Sequence, residues 1–144
     1  MGIILPDGQR FCKLIRPYTR WSHWDDSAQA THGLTRETLL ARGEEPIAVC
    51  LALNDFLEGM NVYSDAWVVD SPWLKKLFDE SAVPMRFTIS AIELIMNERQ
   101  FEIWDTEKQN VIERFNPRRH RASADAFVIQ ETFMQTIKRL KLHD

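Results

Sequence analysis

The order of short apolar runs and helix-period segments constrains the fold more than any other feature of this sequence. Apolar residues at 2–5 and 11–15 flank the turn-forming segment Pro6-Asp7-Gly8-Gln9, which predicts a β-hairpin. After the hairpin, short strand-like runs alternate with segments whose apolar residues recur at helical spacing. The pattern indicates an α/β domain, with a mixed sheet that is antiparallel at the hairpin end and parallel at the other.

The individual elements follow from caps, breakers and periodicity. Residues 16–34 have no apolar periodicity, so we expect a long loop there. Helices are predicted from Thr35 to Gly43, from Pro46 to Gly59, from Asp70-Ser71-Pro72 onward, around 91–96, over about 100–115 and over 122–140. Strands are predicted at 61–64, 67–69 and 85–89.

Length and composition limit the class of protein. The chain has 144 residues, 44% hydrophobic and 27% charged, which is typical of a globular protein and predicts a single domain over 1–144. No apolar run approaches the ~18 residues of a membrane span, so we expect a cytoplasmic protein with no membrane partner. Cys12 and Cys50 lie in apolar contexts and are predicted to be buried thiols.

Charge is distributed unevenly along the chain. Residues 108–144 carry 8 Lys and Arg against 4 Asp and Glu, whereas the preceding residues are strongly acidic. A basic segment on an acidic body favours a surface that meets phosphate groups.

Three segments carry residues with chemical potential. His120 precedes the last predicted helix and Asp125 lies near its first turn, a pairing that suits a general base and a ligand for a hard metal ion. Asp70 follows an apolar run and opens a helix, with Asp65 as its rival. His32 belongs to a turn before a helix. When each residue is taken alone, a solvated, turn or helix-capping role is the favoured interpretation.

Taken together, the three segments resemble one family. His32-Gly33-Leu34-Thr35, an Asp opening a helix at 70, and His120-Arg121-Ala122-Ser123-Ala124-Asp125-Ala126 occur in the order and approximate spacing of the DEDDh 3′–5′ exonucleases. That family includes polymerase proofreading subunits and oligoribonucleases and has a ribonuclease H-like fold. The resemblance covers about residues 2–137. The middle motif departs from the family's His-Asn-Ala-x-Phe-Asp, because in Asp65-Ala66-Trp67-Val68-Val69-Asp70 the final aspartate survives but the Asn and the Phe do not.

The resemblance implies metal-dependent hydrolysis of phosphodiester bonds at the 3′ end of single-stranded DNA or RNA. Asp70 and Asp125 would hold Mg²⁺ or Mn²⁺, and His120 would take the proton of the attacking water. Arg118, Arg119, Arg121 and His32 would contact the strand, and Trp21 or Trp24 would stack a base. Core packing or anchoring of the loop is the alternative for the two tryptophans. Family members often form homodimers, so a second copy is a further expected partner.

The family's first motif, Asp-x-Glu on a central strand, has no counterpart ahead of the hairpin. The pair Asp105 and Glu107 lies in a predicted helix, where residues two apart point about 200° from each other, so we assign it to a solvated face. Without the first motif, one metal ion or none is expected instead of two. The sheet would also lack its first central strand, leaving unpaired backbone groups unless the sheet closes up or another strand fills the slot.

Three hypotheses therefore remain open at the level of sequence. The chain is a metal-dependent 3′–5′ exonuclease, a catalytically inactive domain of the same fold that binds nucleic acid or a protein, or an unrelated small α/β binding protein.

Overall fold

The computed structural model describes residues 1–117 and 121–141. Within them the protein is α/β, as predicted, with six α-helices, a short 3₁₀ helix and two two-stranded sheets. The elements are β1 (Gly2–Ile4), β2 (Arg10–Cys12), α1 (Asp26–His32), α2 (Arg36–Arg42), α3 (Pro46–Leu57), β3 (Asn61–Ser64), α4 (Trp67–Glu80), β4 (Thr88–Ala91), the 3₁₀ helix Ile92–Ile95, α5 (Glu98–Phe115) and α6 (Ala122–Lys141). The chain divides into two compact units, the first formed by Met1 and residues 12–91 and the second by residues 2–11 and the chain from Ile92 onward.

The core of the first unit lies between α3 and α4. Val49, Leu53 and Leu57 recur at four-residue steps along α3 and are completely buried. Leu77 and Phe78 of α4 are also buried, and the Phe78 ring meets Phe87 edge to face at 5.7 Å. The apolar residues that recur at helical spacing in α3 and α4 are therefore the ones that form the core of this unit.

A parallel pair of strands, β3 and β4, continues the first unit. Asn61 lies opposite Thr88 and Ser64 opposite Ala91, and the Asn61 side-chain oxygen accepts hydrogen bonds from the Thr88 and Ser90 hydroxyls. The buried amide of Asn54 on α3 fixes the approach to β4, since it donates to the Pro84 carbonyl and accepts from the Arg86 N–H, both at 2.8 Å. The predicted strand at 85–89 is thus displaced to Thr88–Ala91.

The segment at 16–34 is not one long loop, because it contains helix α1. The Asp25 carboxylate caps that helix by accepting from the N–H groups of Ser27 and Ala28, and hydrogen bonds from Ser27 and Ala28 hold the pKa of Asp25 below its ordinary value. Gly33 ends α1 in the left-handed conformation. No residue of α1 is buried, so the helix has no apolar stripe that periodicity could detect.

Three other predictions are wrong: a strand at 67–69, an α-helix at 91–96 and a buried Cys12. Residues 67–69 are the first turn of α4 and not a strand, although Trp67, Val68 and Val69 favour strands by composition. The predicted helix at 91–96 is one turn of 3₁₀ helix. Cys12 is exposed because it alternates with buried Phe11 on β2, whereas Cys50 is buried as expected.

The single mixed sheet of the prediction is also wrong. Within the described residues β1 pairs with β2, β3 pairs in parallel with β4, and the two pairs are separate sheets. The directions of pairing agree with the predicted antiparallel and parallel ends, but no described strand joins them.

In the second unit the hairpin packs on α6. Gly2 lies so close to the start of α6 that a Cβ atom there would overlap the backbone of Ala122 and Ser123. The side-chain amide of Gln130 donates to the Leu5 carbonyl at 2.9 Å. Glycine is therefore required at position 2 by close approach of strand and helix.

Helices α5 and α6 form the rest of the second unit, with polar groups in their interface. Asn97 and Gln100 form a capping box at the start of α5, and the buried Gln100 amide also donates to the Thr136 hydroxyl at 3.0 Å. Asn116 ends α5 with φ of 42°. No helix of the described residues has the length and apolar character needed to cross a membrane.

Candidate active site

The predicted Asp70 lies in the first turn of α4, directly after strand β3. Its carboxylate Oδ2 accepts a hydrogen bond of 2.5 Å from the hydroxyl of Ser64, the last residue of β3. The same hydroxyl oxygen accepts from the Ala66 N–H at 2.9 Å. Ser64 is buried and Asp70 is exposed, so a buried hydroxyl orients a carboxylate that solvent can reach.

The alternative interpretation of Asp70 as a helix cap is wrong. The N-cap of α4 is Ala66, which makes no side-chain capping bond, and Asp70 is the acidic residue of the first turn. Pro72 lies inside the helix instead of opening it. Asp65, the rival residue, is half-buried in the turn between β3 and α4 and has an interaction of its own.

Asp125 lies in the first turn of α6, one helical turn before the buried Val128. Its backbone N–H donates to the Arg121 carbonyl at 2.9 Å, and its side chain is half-buried. Asp70 belongs to the first compact unit and Asp125 to the second, so a site that combines them remains a prediction.

His120, Arg118 and Arg119 lie outside the described residues. Arg121 is exposed and precedes α6, with its carbonyl accepting from the N–H groups of Ala124 and Asp125. The described part of the chain contains no group of three or more His, Cys, Asp or Glu side chains that could hold a metal ion.

His32 and Thr35 form local hydrogen bonds between the end of α1 and the start of α2. His32 is the last residue of α1, and its Nδ1 accepts from the Leu34 N–H at 3.0 Å. The Thr35 hydroxyl caps α2 by accepting from the Thr38 N–H at 3.1 Å, as the sequence predicts. Turn and cap chemistry therefore accounts for this motif, and contact of His32 with nucleic acid stays a prediction.

The two tryptophans considered for base stacking anchor their own loop. Trp21 donates its indole N–H to the Glu80 carboxylate at 2.7 Å, and Arg20 donates to the same oxygen at 2.6 Å. Trp24 donates to the Gln29 side chain at 2.8 Å. Desolvation raises the pKa of Glu80, but the hydrogen bonds from Trp21 and Arg20 and the positive charges of Arg20 and Lys76 together hold that pKa below its ordinary value.

The Asp-x-Glu pair on α5 is not a solvated face throughout. Asp105 is exposed as expected, but Glu107 is buried, with 7% of its side chain exposed. Arg139 of α6 places Nη1 3.2 Å from Glu107 Oε1, close enough for an ion pair, although the oxygen accepts no hydrogen bond. The prediction failed for Glu107 because this side of α5 faces α6. The sequence of α5 alone does not show which side of the helix meets a neighbouring helix.

A pocket of about 220 Å³ opens between α5 and α6 beside this ion pair. Its walls include Glu107, Arg114, Phe115 and Arg139. Sequence reasoning missed this pocket and also missed the role of Ser64. The signal for Ser64 was available, because a hydroxyl residue at the end of a predicted strand, just before a helix, is a common partner for exposed N–H groups.

No family model, curated protein or solved structure matches the chain.

Proposed function

We propose that this chain is a metal-dependent 3′–5′ exonuclease-like protein with a ribonuclease H-like fold, acting on the 3′ end of single-stranded DNA or RNA. The observation that carries the proposal is the position of Asp70, a solvent-accessible carboxylate oriented by Ser64 at the carboxyl end of the parallel strand β3. Open α/β sheets place ligand-binding residues at such strand ends.

Asp70 and Asp125 are the residues that would hold Mg²⁺ or Mn²⁺. Their carboxylate oxygens are hard donors of the kind these ions prefer, and the hydrogen bond from Ser64 lowers the entropy that Asp70 loses when it binds a cation. The ion would supply stabilisation of charge on the phosphate oxygens. His120 would accept the proton of the attacking water, while Arg118, Arg119, Arg121 and His32 would hold the strand.

The second candidate is a catalytically inactive domain of the same fold that binds nucleic acid or a protein partner. One observation favours it specifically. The Asp-x-Glu pair of this chain is on α5, and its Glu107 lies buried at ion-pair distance from Arg139. With that residue unavailable, Asp70 and Asp125 bring two negative charges against the four positive charges of a metal pair.

The test is stepwise shortening of 5′-labelled single-stranded DNA and RNA in Mg²⁺ or Mn²⁺, compared with EDTA. We expect metal-dependent release of single nucleotides from the 3′ end, with His120→Ala and Asp125→Asn at least 100-fold slower, as expected for loss of a general base or a metal ligand. Asp105→Asn is the matched control, since it removes an exposed carboxylate of the rejected pair.

Three outcomes decide between the candidates. Shortening that persists in EDTA or in His120→Ala contradicts the exonuclease proposal. Absence of shortening with salt-dependent binding of single strands favours the inactive domain that binds nucleic acid. Absence of both leaves neither nucleic-acid hypothesis standing.

A further inference from the structure

Four residues of the second unit form what we call the arginine–phenylalanine surface: Arg10, Arg114, Phe115 and Phe127. Arg10 on β2 lies over the Phe127 ring of α6 at 5.6 Å, and Arg114 near the end of α5 lies over the Phe115 ring at 5.1 Å. The two rings meet edge to face at 5.1 Å. Three separate elements thus bring two guanidinium groups and two aromatic rings together.

The positive charge of this surface is not neutralised by described residues. Arg16, Arg20 and Arg139 each form an ion pair with a glutamate. In contrast, neither Arg10 nor Arg114 pairs with a carboxylate anywhere in residues 1–117 and 121–141. Arg10 and Arg114 are both exposed, so an anion can reach their guanidinium groups from solvent.

The aromatic part of the surface is also accessible. Phe115 is 42% exposed, although its ring contacts the Phe127 ring and the Arg114 guanidinium group. Arg114 and Phe115 continue into the walls of the pocket between α5 and α6, which adds a concave region beside the rings. An exposed ring next to two arginines that pair with no carboxylate of the described residues suits a ligand that is both planar and anionic.

We propose that the arginine–phenylalanine surface binds single-stranded nucleic acid, with phosphates at Arg10 and Arg114 and a base against Phe115. Charge complementarity and the exposed ring select this occupant, because a strand offers phosphates and flat bases in alternation. The choice of nucleic acid as partner rests on the proposed function. The surface itself uses none of the predicted catalytic or metal-binding residues, so binding here requires no hydrolysis.

The size of the expected effects follows from the two kinds of contact. Each phosphate contact to a single strand contributes about −0.7 to the slope of log binding constant against log salt concentration, so Arg10→Gln and Arg114→Gln should each flatten the slope by about 0.7. Loss of one base stack weakens binding by about 5- to 150-fold with no change of slope. Phe115→Leu, which keeps apolar volume without a π-face, should show that loss.

The experiment is fluorescence anisotropy of labelled single-stranded DNA and RNA 12-mers against the full chain in EDTA, at several salt concentrations. Arg42→Gln in α2 and Phe101→Leu in α5 are matched controls, since they remove one charge of the other unit and one exposed ring outside the surface. Phe115→Trp retains a stacking face and should bind like the unaltered protein. Circular dichroism checks that every variant remains folded.

The inference and the proposed function fail in different ways. If binding occurs in EDTA and weakens selectively in Arg10→Gln, Arg114→Gln and Phe115→Leu, the inference stands even when no nuclease activity is found. If the matched controls weaken binding as much, or if the surface variants change nothing while strands are still bound or shortened, the inference is wrong. A folded chain that binds no strand overturns it as well.

Discussion

The hydrogen bond between Ser64 and Asp70 makes a quantitative prediction that links the fold to the candidate site. Ser64→Ala removes a hydroxyl that donates to Asp70 at 2.5 Å and accepts from the Ala66 N–H at 2.9 Å. A hydrogen bond to a charged group contributes about 1.5–3 kcal/mol and a neutral one about 0.5–1.5 kcal/mol. Because Asp70 is exposed, the lower end applies, and we expect Ser64→Ala to cost about 2 kcal/mol of unfolding free energy.

A double-mutant cycle isolates the interaction itself. Asp70→Ala loses the same bond and the favourable placement of an acid in the first turn of α4, and we expect about 2 kcal/mol. The double variant should lose about 1.5 kcal/mol less unfolding free energy than the sum of the two single losses. The reason is that each single variant already loses the shared hydrogen bond, which the double variant can lose only once. Urea unfolding followed by tryptophan fluorescence measures each value, and about 2 kcal/mol corresponds to a midpoint shift of about 1 M.

The control pairs Ser64→Ala with Asp79→Ala, an exposed carboxylate further along α4. These two changes should add within about 0.5 kcal/mol, since their side chains share no partner. A coupling between Ser64 and Asp70 no larger than that of the control pair would refute the claim that Ser64 orients the candidate metal ligand.

Two further predictions concern polar anchors in the first unit. Asn54→Ala should accelerate amide hydrogen exchange at Arg86 by about tenfold or more, because it removes the oxygen that accepts that N–H. Equal exchange rates in the unaltered chain and in Asn54→Ala would contradict this. Since the pKa of Glu80 is lowered, its contribution to stability is present above its ordinary value of 4.5 and is lost as pH falls through the lower folded value. The stability difference between the unaltered chain and Glu80→Gln should therefore shrink below about pH 4.5, as measured by urea midpoints across pH, and a difference that grows in acid would show the sign to be wrong.

Caps and periodicity predicted four of the described α-helices well, whereas α1, which has caps but no apolar stripe, was missed. Thr35 caps α2 and Pro46 occupies the first turn of α3, both as predicted. Helix α6 follows its periodic stripe from Ala122, and α5 covers nearly the whole predicted helical segment. In each case cap, breaker and apolar spacing act within one or two helical turns, so neighbouring residues contain the necessary information.

The first turn of α4 shows where local information was misleading. The residues at 67–69 favour a strand by composition. However, the Ser64 hydroxyl accepts from the Ala66 N–H just before the helix, and Leu74 and Leu77 are buried in the turns that follow. Burial of the apolar face outweighs the weak strand preference of three residues, so the helix extends backward to Trp67.

By itself the sequence determined the α/β class, the hairpin, the bounds of most helices and the residues predicted for an exonuclease site. Tertiary structure alone decided the choice of side-chain partners: Glu107 with Arg139, Trp21 with Glu80, and Arg10 with Phe127. The physical reason is that caps and periodicity act over one or two turns, whereas ion pairs and ring contacts depend on which distant elements meet. Charge on the chain could therefore be counted from the sequence, but which arginines are neutralised and which remain available to an anion is set by the fold.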